Sequence, residues 1–112
     1  MSKLIAISTG LKDVEMAPGN IPCVVINNDF VKACNNFGNN AVIFGPHENS
    51  ELVDISKFDA IVISGGGDIN PATYGEDKIE KTIRVSDYRD STELAMLKSA
   101  EENNVKTLAI CR

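Results

Sequence analysis

Short apolar runs alternate along this chain with stretches of helical periodicity, and that alternation leaves few architectures open. Residues 3–8 (Lys-Leu-Ile-Ala-Ile-Ser) form a continuous apolar run, as expected of a strand buried on both faces of a parallel sheet. A loop carrying Pro18, Gly19 and Pro22 is expected next, then a helix capped by Asn28 or Asp29 with Phe30, Val31, Cys34 and Phe37 at helical spacing and Gly38 as its stop. Residues 41–44 make a second strand candidate, halted by Gly45-Pro46, and residues 50–55 suit a short helix. The clearest strand, residues 58–64 (Phe-Asp-Ala-Ile-Val-Ile-Ser), runs straight into three glycines. Little periodicity is visible between Asp68 and Tyr88, where an irregular loop or short turns are expected. A helix is expected from Asp90 to about residue 103, with Glu93 as a capping-box partner and Leu94, Leu97 and Ala100 on one face. Residues 105–110 form a last strand, with Cys111 at its carboxyl end. The order predicts an α/β fold, a mostly parallel sheet with crossover helices on its faces. The last strand reads as an interior one with no helix after it, so the sheet is expected to be incomplete within this chain and covered by a second polypeptide or by self-association.

Composition narrows the function. The 112 residues suit one small domain, and a formal charge of −5 with a pI near 4.7 argues against a nucleic-acid partner, which would call for a basic footprint. No apolar stretch approaches the ~20 residues needed to span a bilayer, and the first apolar run gives way quickly to Lys12, Asp13 and Glu15, so neither membrane nor signal peptide is expected and a cytoplasmic location is. Cys23, Cys34 and Cys111 sit at scattered spacings without a Cys-x-x-Cys pair, which predicts reduced thiols and no metal site.

Ligands of open α/β sheets bind at the carboxyl ends of strands, and here two such ends carry unusual residues: Ser64-Gly65-Gly66-Gly67-Asp68 and Cys111-Arg112. The glycines permit close backbone approach to a ligand, but they also suit a plain tight turn; the Gly-x-Gly-x-x-Gly spacing of a dinucleotide site is absent, and no cofactor is expected. Cys111 reads either as a small buried hydrophobe or as a nucleophile presented on a strand-to-helix elbow. Cys34 and Cys23 read as packing residues, and His47, after Gly45-Pro46, as a solvated loop residue.

Four blocks resemble the class I glutamine amidotransferase-like hydrolases, and within them the gamma-glutamyl-gamma-aminobutyrate hydrolase branch. They are Asn28-Asp29-Phe30-Val31 with Gly38; residues 58–68 continuing through Ile69-Asn70-Pro71 and Tyr74-Gly75-Glu76; Arg89-Asp90 with Glu93; and Leu108-Ala109-Ile110-Cys111-Arg112. The resemblance implies a flavodoxin-like fold of which residues 1–112 are the N-terminal half of a single domain, ending at the nucleophile elbow. It implies that Cys111 attacks a small gamma-glutamyl amide through a thioester, with the N–H groups of Gly66 and Arg112 as the oxyanion hole. Gly65, Gly67, Asp68, Tyr74 and Glu76 would line or brace the site loop, and Arg89, Asp90 and Glu93 would cap and orient the helix. The family's histidine and carboxylate lie downstream of the cysteine, so the chain by itself is expected to be a poor enzyme and to work when complemented. Two other readings stay open: a non-catalytic binding or interaction module, and an ammonia-supplying glutaminase subunit of a synthetase.

Overall fold

The computed structural model describes residues 2–66, 69–80 and 86–111. Its centre is a four-stranded, all-parallel sheet built from β1 (Leu4–Ser8), β4 (Asn40–Phe44), β5 (Ala60–Ile63) and β6 (Lys106–Ala109), in the order β4-β1-β5-β6. Two helices, α1 (Asn28–Asn36) and α2 (Asp87–Asn103), accompany the sheet, and the expected α/β class holds. β1 is central and apolar, so Ile5, Ala6 and Ile7 are almost wholly buried. Ala6 pairs with Ile61, and with Ile63 they share the face that packs Met96 and Ala100 of α2, closed at its edge by Val53 and Ile55. Phe44 and Phe58 meet edge to face beside this core, with ring centroids 6.5 Å apart.

The chain departs from expectation between Gly10 and Val25. In place of a loop it forms an antiparallel hairpin, β2 (Gly10–Met16) and β3 (Gly19–Val25), with Ala17-Pro18 as the turn and Gly19 at φ +128° beyond it. The ribbon stands apart from the main sheet and buries neither face, so its residues show no alternation of apolar and polar types. Pro22, opposite Asp13, costs little there because a two-stranded ribbon consists of edges.

α1 is capped by Asn27, one residue before the expected cap, whose side chain accepts from the Asp29 N–H. Its apolar stripe is only partly used: Cys34 is half-buried, and Phe37, the C-cap, is 85% exposed. Phe30, Cys34 and Phe37 flank an open apolar groove of about 350 Å³ whose floor includes Ile7, Val62 and Leu108.

α2 starts earlier than expected. Ser86 is the N-cap and accepts from the Arg89 N–H at 3.3 Å, so Asp90 and Glu93 are not a capping box. The buried stripe of the helix runs through Arg89, Thr92, Glu93, Met96, Ser99 and Ala100 at the i, i+3, i+4, i+7 spacing, with Asp90 buried beside it. Leu94 and Leu97 lie outside it, 48% and 37% exposed. The helix therefore faces the sheet with polar side chains over its first turns and apolar ones over its last. Asn104 closes it in the left-handed conformation. The remaining short segments, Ser50–Leu52 and Pro71–Tyr74, are single turns of 3-10 helix. Among the described residues no helix is long and apolar enough to cross a membrane.

Candidate active site

The carboxyl ends of β1 and β5 are sewn together by two serines. The Ser64 N–H donates to Ser8 Oγ at 2.9 Å and the Ser64 hydroxyl donates to the Ser8 carbonyl at 2.7 Å. Onto this pair α2 lays its polar turns. Arg89 is only 6% exposed, and the two hydrogens of its Nη2 are shared among the Ser64 carbonyl (2.8 Å), Ser64 Oγ (2.9 Å), the Gly65 carbonyl (3.2 Å) and Glu93. Glu93, one helical turn on and equally buried, accepts through Oε2 from Arg89 Nε and Nη2 at 3.3 and 3.2 Å and also from the Ser8 hydroxyl. A buried guanidinium and carboxylate are tolerated because each is charge-paired and hydrogen-bonded. Among the described residues no buried side-chain nitrogen or oxygen lacks a partner.

The glycines meet different neighbours. A Cβ on Gly65 would lie 3.1 Å from the Cys111 carbonyl and 3.2 Å from the Ile110 carbonyl, so the loop after β5 and the end of β6 are in direct backbone contact. A Cβ on Gly66 would instead overlap Arg89 Nη1, and one on Gly10 would lie 3.2 Å from the same atom. Hydrogen is the only side chain that fits between this guanidinium and the Gly66 backbone.

Cys111 is exposed and has φ +45°, a left-handed conformation rarely adopted by a residue with a side chain. The preceding residue is still in register, because the Ile110 N–H donates to the Ile63 carbonyl at 2.8 Å. The ladder with β5 thus runs as far as Ile110, and the positive φ follows at the next residue, Cys111. Within the described residues this cysteine is exposed rather than packed into the core. Gly65 and Cys111, placed at one site by the sequence reading, do come together.

Of the other expected site residues, Gly67, Asp68 and Arg112 lie outside the described residues. Tyr74, in the 3-10 turn, is 64% exposed, and Glu76 is exposed with its N–H bonded to the Pro71 carbonyl. The segment leading to them is tied to α2. The Asn70 N–H donates to Asp90 Oδ2 at 2.8 Å, and Asn70 Nδ2 donates to Asp87 Oδ1 at 2.7 Å. Asp90, read from the sequence as a helix cap, works as an anchor for this segment. His47 is half-buried rather than freely solvated: its N–H donates to Thr92 Oγ1, and its Nδ1 accepts from the Asn49 N–H. Among the described residues no group of three or more histidine, cysteine, aspartate and glutamate side chains is placed to hold a metal ion.

A cleft of about 790 Å³ opens beside the glycine loop, bounded by Gly65, Gly66 and Arg89 on one side and by Gly10, Leu11 and Val25 of the hairpin on the other. The hairpin and the Ser8–Ser64–Arg89–Glu93 cluster are the site elements that sequence reasoning missed. Serines at the ends of two strands and an Arg-x-x-x-Glu pair were the only visible signs of the cluster.

The model of the family Peptidase C26 matches residues 3–112. A Lactococcus lactis subsp. lactis (strain IL1403) protein, YvdE, provisionally named glutamine amidotransferase-like, is 33% identical over 85 residues, covering 74% of this chain and 36% of the relative. A Mycobacterium tuberculosis (strain ATCC 25618 / H37Rv) protein, Rv2859c, whose name carries a provisional glutamine amidotransferase assignment, is 29% identical over 112 residues, 97% of this chain and 36% of its own length. A YvdE homolog from Lactococcus lactis subsp. cremoris is 31% identical over 85 residues, 74% of this chain and 45% of the relative. The chain therefore spans less than half the length of these relatives.

Proposed function

The chain belongs to the Peptidase C26 family, and from that premise we propose that it carries the nucleophile side of an active site that hydrolyses gamma-glutamyl amides. The observation that carries the reading is Cys111, exposed, with positive φ just past the end of the edge strand β6 and against the glycine loop. The Cys111 thiolate attacks the gamma-carbonyl, the C–N bond breaks, and the amine leaves with a proton. Water then cleaves the thioester, releasing glutamate and restoring the thiol. The N–H groups of Gly66 and Arg112 hold the oxyanion of each tetrahedral intermediate, and losing one such donor costs ~3 kcal/mol of transition-state stabilisation. His47 is the only histidine and is engaged with Thr92 and Asn49, so the base and its carboxylate are assigned to residues beyond these 112 or to a second polypeptide. Residues 1–112 are then the N-terminal half of a single catalytic domain.

The run from Gly65 to Asp68 with Tyr74-Gly75-Glu76 favours gamma-glutamyl-gamma-aminobutyrate as the substrate type. The relatives' names, glutamine amidotransferase-like and glutamine amidotransferase, favour glutamine itself, with ammonia as the released amine. Incubating the full protein with each compound and measuring glutamate, gamma-aminobutyrate and ammonia separates the two. Iodoacetamide at neutral pH should label Cys111 ahead of Cys23 and Cys34, and Cys111→Ala should abolish turnover. Turnover that survives Cys111→Ala overturns the hydrolase reading.

A further inference from the structure

Resting on the hydrolase reading, we propose that Arg89 is a positioning residue that sets the direction of the Gly66 N–H in the oxyanion hole, with Glu93 and Ser8 holding Arg89 in place. A trans peptide points its C=O and the following N–H in opposite directions, and no described peptide bond is cis. Arg89 Nη2 takes the Ser64 carbonyl at 2.8 Å and the Gly65 carbonyl at 3.2 Å. Two successive peptide planes are thereby turned with their oxygens to the guanidinium, and the N–H groups of Gly65 and Gly66 are turned away from it. A glycine-rich segment has no intrinsic preference for this arrangement, since glycine visits both signs of φ readily. The orientation has to come from outside the loop, and Arg89 supplies it.

The guanidinium is itself immobilised. Glu93 Oε2 accepts from both Nε and Nη2, and the same oxygen takes the Ser8 hydroxyl, whose Oγ accepts the Ser64 N–H. Gly66 and Gly10 close on the Nη1 side, leaving no space for a Cβ at Gly66. The links from α2 to the loop are thus direct hydrogen bonds of 2.8–3.2 Å and close contacts at Nη1. Arginine suits the role because its planar fork addresses several acceptors at fixed angles, which an ammonium does not.

The test uses the full protein and L-gamma-glutamyl-p-nitroanilide as the chromogenic probe, with Arg89→Met and the milder Arg89→Lys. Misdirecting one oxyanion donor is expected to lower kcat about 100-fold, with the lysine variant intermediate. The affinity for L-glutamate gamma-semialdehyde, whose hemithioacetal with Cys111 places an oxyanion in the same hole, should fall by the same factor. KM and the iodoacetamide rate at Cys111 should move by less than about threefold, because neither ground-state binding nor alkylation uses the hole. Amide hydrogen exchange at Gly65 and Gly66 should speed up in both variants. Turnover in Arg89→Lys and Arg89→Met within threefold of wild type overturns the proposal, as does a fall of alkylation in step with kcat, which marks general collapse of the site. A wild-type protein with no turnover and an unreactive Cys111 overturns the hydrolase reading and this proposal with it.

Discussion

Replacing Gly66 with alanine adds one methyl group, yet the structure assigns it a large cost. The new Cβ overlaps Arg89 Nη1, the end of a side chain that would ordinarily swing aside. This one is held by the carbonyls of Ser64 and Gly65, by Ser64 Oγ and by Glu93. To make room the guanidinium gives up at least one of these charge-assisted bonds, each worth about 1.5–3 kcal/mol. If it leaves Glu93, breaking the buried ion pair raises the cost to about 3–5 kcal/mol. We expect Gly66→Ala to destabilise the full protein by about 3 kcal/mol, a large share of the ~5–15 kcal/mol that holds a domain folded. With urea m-values of about 1–3 kcal/mol/M, the unfolding midpoint should drop by roughly 1–3 M at unchanged m. A double-mutant cycle identifies the cause. In an Arg89→Met background, already destabilised by the loss of the guanidinium, the extra cost of Gly66→Ala should shrink to below about 1 kcal/mol. The reasoning is refuted if Gly66→Ala alone stays within 1 kcal/mol of wild type, or if its cost is the same with and without Arg89.

Asp90→Ala should destabilise by about 1–3 kcal/mol, because the Asn70 N–H at 2.8 Å loses its acceptor and the first turn of α2 loses an acidic residue; a melting temperature equal to wild type would contradict this. Asp54 accepts from the Ser56 N–H and hydroxyl, which hold its carboxyl below the usual carboxylate range. A carboxylate depressed on folding contributes stability above its unfolded pKa of about 3.9 that is lost as pH falls through the folded value, so Asp54→Asn should flatten the acid limb of a urea-midpoint-versus-pH curve below about pH 4 and leave the rest unchanged.

Buried strands announced themselves because a strand covered on both faces has no choice but a continuous apolar run. β1 with Ile5, Ala6 and Ile7 is of this kind, while β5 buries Ile61 and Ile63 on one face and leaves Ala60 and Val62 half-buried on the other; both strands lie within a residue or two of where the pattern put them. The hairpin was illegible for the opposite reason. Leu11, Lys12, Asp13, Val14, Glu15 and Met16 follow no period because neither side of that ribbon meets a core, and Pro22 argued against a strand that turned out to be all edge. α2 was found, but its orientation was misjudged. Leu94 and Leu97 are its most apolar side chains and point outward, while Arg89 and Glu93 point inward. Hydrophobic periodicity assumes that the core wants apolar atoms, and over its first turns this helix packs on the polar ends of two strands.

That inversion explains why half of the site was readable and half was not. Cys111 and the glycines stand out by their place at the carboxyl ends of two expected strands, although each alone also suits a packed thiol or a plain tight turn. The support behind them is made of ordinary residues whose meaning is purely relational. Ser8 and Ser64 are 56 positions apart, and Arg89 is 25 beyond Ser64. In sequence, Arg89 and Glu93 form an i, i+4 pair indistinguishable from a surface salt bridge worth a few tenths of a kcal/mol. Burial changes its role. Covered by the sheet, the guanidinium must find acceptors for its buried Nε and Nη2, and beyond Glu93 those within reach are Ser64 Oγ and the carbonyls of Ser64 and Gly65. Satisfying the arginine and orienting the loop are then one event, so a substitution that spares the charge but not the fork, Arg89→Lys, should separate them.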